Sequence, residues 1–237
     1  MGCGERTLLD AAAVGGNEDV VRGLLRVGAQ PEVNVVSCSS KRSVLYTATT
    51  LGHKAVARRL MVAGADVNFR DPVPKRSVLY KYEATMGGHE QLVDELLIGG
   101  ANPNWRNIGD GVSPLHVGAS QGFDKIVSTL LLRGAEKDAL DRYERTPLIR
   151  ASFRGRQSVV KTLLDAGIDE SIRGTDGDSA LDLCAASVGN GDVIEAIVGH
   201  GADVNARRDD GFTALHIAAQ YDQAGAVDAL IKGWGRH

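Results

Sequence analysis

The chain has 237 residues, with 29 Gly, 6 Pro, 2 Trp, 5 Tyr and 4 Phe, 43% apolar residues and a formal net charge of −3. Glycine is well above the ~7% of average proteins, yet collagen needs it at every third position, and a disordered chain would not carry this much apolar content. A near-balanced charge also lacks the basic footprint of a nucleic-acid binder.

In chain order, a Ser or Thr followed two residues on by Leu recurs at Thr7, Ser43, Ser77, Ser113, Thr146, Ser179 and Thr213, and the hexapeptide Lys41–Tyr46 returns unchanged as Lys75–Tyr80. A fixed period of this length points to a stacked repeat. Each Ser or Thr is a helix N-cap, because its hydroxyl can accept from an orphan amide of the first turn; Pro114 and Pro147 follow at the first helical position, where no N–H is needed. The first helices are short and rich in Ala, and they end near Gly16, Gly52, Gly88, Gly122, Gly155 and Gly189. Second helices follow, with apolar pairs such as Val159-Val160 and Leu163-Leu164 forming one stripe on a 3.6-residue period. Gly28, Gly64, Gly100, Gly134, Gly167 and Gly201 stop them. Each is followed by about a dozen polar residues suited to a projecting turn or hairpin. The chain is therefore expected to be one domain, 1–237, of seven units: about 4–36, 37–71, 72–107, 108–140, 141–173, 174–207 and 208–237. The last unit is incomplete. It has Trp234 where the closing glycine stands elsewhere, so its second helix is expected either to fray or to dock on another surface.

Ser113-Pro114-Leu115-His116, Gly52-His53, Gly88-His89, Gly64-Ala65-Asp66-Val67-Asn68 and Gly201-Ala202-Asp203-Val204-Asn205 resemble the ankyrin repeat, over essentially the whole chain. The resemblance implies an all-α ankyrin-repeat solenoid: stacked helix-turn-helix units with projecting β-hairpin loops and a concave groove. It also implies a non-catalytic adaptor or scaffold, or alternatively the regulatory or substrate-targeting part of a larger enzyme or ubiquitin-ligase assembly. The context of Leu60 and Asp66-Val67-Asn68 is similar to that in which an asparaginyl hydroxylase modifies ankyrin repeats.

Motifs for chemistry are weak. Gly118-Ala119-Ser120-Gln121-Gly122 satisfies GxSxG but falls on a first helix rather than a strand-to-helix elbow. His89-Glu90 begins like a zinc-protease motif, but Val93 stands where the second His is required. His53, His89, His116 and His216 all occupy repeat positions, leaving His200 and His237 without a role. Cys3, Cys38 and Cys184 form no CxxC pair. No catalytic residue, metal, cofactor or small-molecule substrate is expected. Gly2 and Cys3 suit acylation, but Arg6 replaces the required Ser or Thr, so a membrane partner is expected only if they are lipidated. Without a secretory or membrane-spanning segment, the reading is a cytoplasmic or nuclear monomer.

Function should then lie in exposed departures from the repeat. From Arg142 to Lys161 six Lys/Arg face one Glu, a net of +5, and from Asp165 to Asp182 six acids face Arg173, a net of −5. Arg142, Tyr143, Arg145, Arg150, Phe153 and Arg154 are the candidate contacts for a protein or peptide partner, one favouring acidic groups. Arg42, Arg76, Phe69, Trp105, Asp209, Asp210 and Tyr221 are secondary candidates.

Overall fold

The computed structural model describes residues 7–28, 33–36, 42–69, 79 and 89–234. They pack as two compact units, 1–109 and 110–237. In the first unit, α1 (Leu8–Gly15) and α2 (Glu18–Arg26) form one antiparallel pair and α3 (Val44–Thr50) and α4 (Lys54–Val62) the next, followed by α5 (Glu90–Ile98). Helix α1 packs on α3 and α2 on α4. Arg58 Nε meets both carboxylate oxygens of Glu95 at 2.8 and 2.7 Å, tying α4 to α5.

The second unit holds four pairs: α6 (Pro114–Gln121) with α7 (Asp124–Leu132), α8 (Pro147–Phe153) with α9 (Gln157–Asp165), α10 (Ala180–Ala185) with α11 (Gly191–Gly199), and α12 (Ala214–Gln220) with α13 (Ala224–Trp234). First helices stack in one layer, α6 on α8 on α10 on α12, and second helices in another, α7 on α9 on α11 on α13. Helices of six to eleven residues are marginal alone. Here their apolar stripes face neighbouring helices, and Leu9, Leu45, Leu115 and Leu148, each two residues past its cap, are fully buried.

The caps are where the repeat places them. Thr7, Ser43, Ser113, Thr146 and Ser179 each accept a bond from the amide three residues on, at 3.1 to 3.4 Å. Gly64 shows why the second helices end in glycine: its φ is +89°, a left-handed conformation that a side chain would strain. Gly118, in the GxSxG pentapeptide, serves packing instead. A Cβ there would sit 3.3 Å from Val127 Cγ2, so glycine lets α6 lie close on α7, while Ser120 Oγ donates to the Val117 carbonyl of its own helix at 3.0 Å.

Polar bridges join successive repeats outside the core. Asn34 Nδ2 donates to the Gly64 carbonyl at 3.0 Å and its Oδ1 accepts from Asp66 N–H at 2.7 Å; Asn68 repeats this with Gly100 and Asn102, at 2.9 and 2.8 Å. At Asn205 the acceptor is met by the Trp234 indole N–H. Helix α13 runs regularly to Trp234 and does not fray: Gly233 sits against Val198 and Val204 and leaves the indole free to reach back. The tips in the second unit are closed by short turn bonds rather than by strand ladders: Asp141 N–H to Arg145 O (3.1 Å), Gly174 N–H to Asp178 O (3.0 Å) and Arg208 N–H to Phe212 O (2.8 Å), each with a second bond back to the same first residue from Glu144, Gly177 or Gly211 N–H.

Thr146 is buried and caps α8, so Thr146→Ala should lower stability by ~1 kcal/mol in urea unfolding while Thr146→Ser retains most of it; equal losses in both variants would show that the hydroxyl is not the stabilising group.

Candidate functional site

The tip at residues 141–145 is built around a carboxylate. Asp141 Oδ1 accepts from the amides of Tyr143 (2.7 Å) and Arg145 (3.0 Å), and Oδ2 takes both Nε and Nη2 of Arg150 at 2.8 and 2.6 Å. Burial by itself would raise the Asp141 pKa, but the Arg145 and Tyr143 amides and the Arg150 guanidinium outweigh it and hold the carboxyl below its ordinary range. Neighbouring tips are stitched together, Arg142 N–H to Asp110 O and Thr175 N–H to Tyr143 O, both at 2.9 Å. At this crossing a Cβ on Gly174 would lie 3.1 Å from the Tyr143 carbonyl. Above the tip, Tyr143 lies exposed between Arg142 and Arg145, whose guanidinium carbons are 5.0 and 5.4 Å from the ring centroid.

The net charge of +5 read along the sequence is therefore not a free basic surface. Arg150 belongs to the buried Asp141 at the base of the tip and is a structural residue, and Arg145 meets Asp176 of the next tip at 2.8 Å. Both acids lie outside the 142–161 window, so linear counting misses them. Arg142, Tyr143 and Arg145 do come together, and Arg154 is exposed just past α8.

Phe153 goes elsewhere. It lines a cleft of about 550 Å³ together with Asp178, Asp182, Arg208, Asp210, Phe212 and Tyr221, floored by Leu183 and Ile217. The cleft has a simple origin in the repeat. Phe153, Ala186 and Gln220 stand equally far past the caps Thr146, Ser179 and Thr213, and Arg154, Ser187 and Tyr221 stand one residue on. Small Ala186 and Ser187 in the middle repeat leave a gap between Phe153 and Tyr221, and the 178 and 208–212 tips form the opposite wall. Phe153, Phe212 and Tyr221 are 51%, 39% and 55% exposed, unusual for three large rings lining one cleft. Asp210 and Tyr221, taken from sequence as secondary candidates, thus join Phe153; Asp178 and Asp182 figure in the sequence only as acids of the 165–182 run, and Arg208 and Phe212 were not singled out. Aligning the repeats by their caps would have shown the Ala186 and Ser187 gap; the tips facing it could not be read that way.

A family model for ankyrin repeats (3 copies) matches residues 82–174 and 169–235. The chain belongs to the ankyrin-repeat family. It is similar to the human ASB11 ankyrin repeat domain, with 28% identity, a TM-score of 0.79 and coverage of 96% of this chain and 98% of that one. Shorter stretches resemble ankyrin repeat and SAM domain-containing protein 6 of Mus musculus, 36% identical over 76 residues, and E3 ubiquitin-protein ligase XB3 of Oryza sativa subsp. japonica, 40% identical over 57 residues. Those stretches are 32% and 24% of this chain but only 9% and 13% of the two relatives' own lengths. Ankyrin repeat domains mediate protein–protein interaction.

Two of the repeat histidines, His53 and His116, bridge successive repeats. His116 Nδ1 accepts from Ser113 N–H, and Nε2 donates to the Arg145 carbonyl of the next repeat at 2.9 Å; His53 Nε2 reaches the Val14 carbonyl at 3.1 Å. His200 lies between the Ala196 carbonyl and Asp165, which together raise its pKa. Among the secondary candidates, Trp105 is buried and so offers no open contact surface, Phe69 is half-buried, and Arg42 lies 5.5 Å from the ring of the buried Tyr46. Asn68 is engaged at both ends of its side chain. Arg76, Gly2, Cys3 and His237 lie outside the described residues.

Two expectations test this geometry. A folded-state pKa held below the ordinary value contributes stability that is present above about pH 4 and lost as pH falls through the depressed pKa. Asp141→Asn should therefore cost ~1.5–3 kcal/mol at pH 7, less at pH 3, by urea unfolding at the two pH values; an equal loss at both would remove the ionic role. Burial pushes the Cys184 thiol up to about 12, so the native protein should leave the Cys184 peptide unalkylated by iodoacetamide at pH 8, as read by peptide mass, and urea should expose it.

Proposed function

We propose that the second unit is a non-catalytic recognition module of an adaptor or scaffold, taking an exposed segment of a protein partner along the Phe153–Tyr221 cleft and over the Tyr143 tip. The observation that carries this reading is the convergence on one cleft of three exposed rings, Phe153 from one repeat and Phe212 and Tyr221 from the repeat two along. Exposed aromatic residues flanked by polar groups, here at the end of α8, just past α12 and on the 208–212 tip, are the material of binding hot spots. The cytoplasm or nucleus is the compartment proposed for it.

A second reading is favoured by the 57-residue similarity to XB3, described as an E3 ubiquitin-protein ligase. In it the chain is the regulatory or substrate-targeting part of a larger enzyme or ubiquitin-ligase assembly whose active subunit lies elsewhere. The cleft then holds the substrate to be presented.

Quantitative affinity capture from native lysate distinguishes the surfaces. Proteins retained by the wild type should fall at least fivefold with Phe153→Ala/Tyr221→Ala, and by a smaller factor with Arg142→Glu/Arg145→Glu at the tip, with helicity unchanged by circular dichroism. Undiminished capture by both folded variants would remove the second unit as the recognition surface, and co-enrichment of ubiquitin-transfer subunits with the wild type would favour the second reading.

A further inference from the structure

We infer that the cleft between Phe153 and Tyr221 is built to take an arginine side chain presented by a partner's peptide segment, the opposite polarity to that suggested by the run of basic residues at 142–161. The inference rests on the peptide-binding reading of the same cleft and specifies what enters it.

The balance of charge comes first. The cleft is lined by the carboxylates Asp178, Asp182 and Asp210 and by one guanidinium, Arg208. Arg208 is shared, meeting Asp178 at 2.6 Å and Asp210 at 3.3 Å. Asp182 is buried and already bonded to Arg173 at 2.8 Å and to Ser179 N–H and Oγ at 2.9 and 2.7 Å. Among the lining residues and their direct ionic partners, three carboxylates face two guanidinium groups, Arg208 and Arg173, while the exposed Arg154, Arg207 and Asp209 flank the cleft outside its lining. The Asp178 carboxyl sits above its ordinary range, raised first by burial and then by Asp182 and Asp176, against the opposing Arg208 and Arg145. A cation entering the cleft meets the excess carboxylate, whereas an acidic segment would meet like charge.

The apolar lining narrows the cation to arginine. A guanidinium is planar and weakly hydrated, and it stacks on ring faces while its edge donates to a carboxylate; an ammonium is compact and strongly hydrated. Phe153, Phe212 and Tyr221 supply exposed rings, and Asp210 supplies a carboxylate in the same cleft. The protein's own Arg142 and Arg145 already pack on Tyr143 in this way one tip along. Tyr221 and Asp210 lie at exposed positions, so they can be changed without opening the core.

The test uses fluorescence anisotropy on the full chain at about 150 mM salt, where charges beyond ~8 Å are screened. The probes are three fluorescein-labelled nonapeptides of serine and two leucines that also carry two arginines, two lysines or two glutamates. The arginine peptide should bind at least tenfold tighter than the glutamate peptide and at least threefold tighter than the lysine peptide. Asp210→Lys and Tyr221→Ala should each weaken it at least fivefold, with helicity retained. Arginine binding that is indifferent to both variants, or lysine or glutamate binding as tight as arginine, overturns the inference. Glutamate binding that is lost in Tyr221→Ala would overturn it while leaving the cleft as the peptide site, whereas failure of all three peptides would remove the cleft reading as well.

Discussion

A helix of seven or nine residues cannot hold itself together in water, because the cost of starting it is recovered only over more turns than it has. Every described helix of this chain, at six to eleven residues, is in that position. What sustains them is contact with neighbouring helices, which buries Leu115 and Leu148 among first helices and Val160 and Leu163 among second ones. Regular spacing follows from this constraint, since a neighbour can cover the apolar stripe only if its own stripe begins at the same distance from its cap. The polar bridges obey the same rule. His116 reaches the Arg145 carbonyl, and Asn68 reaches Gly100 and Asn102, only if successive repeats lie in register.

Register also builds the candidate site. Residues at one place in the repeat form a column across the stack, so a change of size in a single repeat becomes a feature of the surface. Ala186 and Ser187 between Phe153 and Tyr221 are such a change. Neither residue is unusual on its own, and Ala is common in these helices for packing. Its effect comes from the large rings on either side, more than thirty residues away in both directions. The cleft is thus a property of three repeats together.

Charge behaves likewise. The 142–161 segment is basic as a string of letters, but Arg150 is neutralised by the buried Asp141 and Arg145 by Asp176. In a stack, the nearest opposite charge commonly belongs to the next repeat, so counting along the chain exaggerates both positive and negative patches. The same pairing gives Asp141 its structural importance: one side chain caps two tip amides and anchors an arginine, which turns a short irregular segment into a rigid platform for Tyr143. Exposed aromatic residues on rigid supports lose little conformational freedom on binding, and that favours their use as anchors.

The sequence by itself determined the repeat, its period, the caps at Thr7, Ser43, Ser113, Thr146, Ser179 and Thr213, the glycine stops and the absence of a nucleophile elbow around Ser120. These depend on residues a few positions apart, whose hydroxyls, missing side chains and apolar faces act within one helix or turn. Tertiary structure alone decided which polar residues are free. It drew Arg150 onto Asp141, buried Trp105, sent the Trp234 indole to Asn205 and gathered Phe153, Phe212 and Tyr221 with Asp178 and Asp210 into one cleft. Each of these contacts joins different helices or tips, within one repeat for Arg150 and Asp141 and across repeats for the Trp234–Asn205 contact and the cleft, so the folded geometry and not the spacing along the chain determines whether such groups meet.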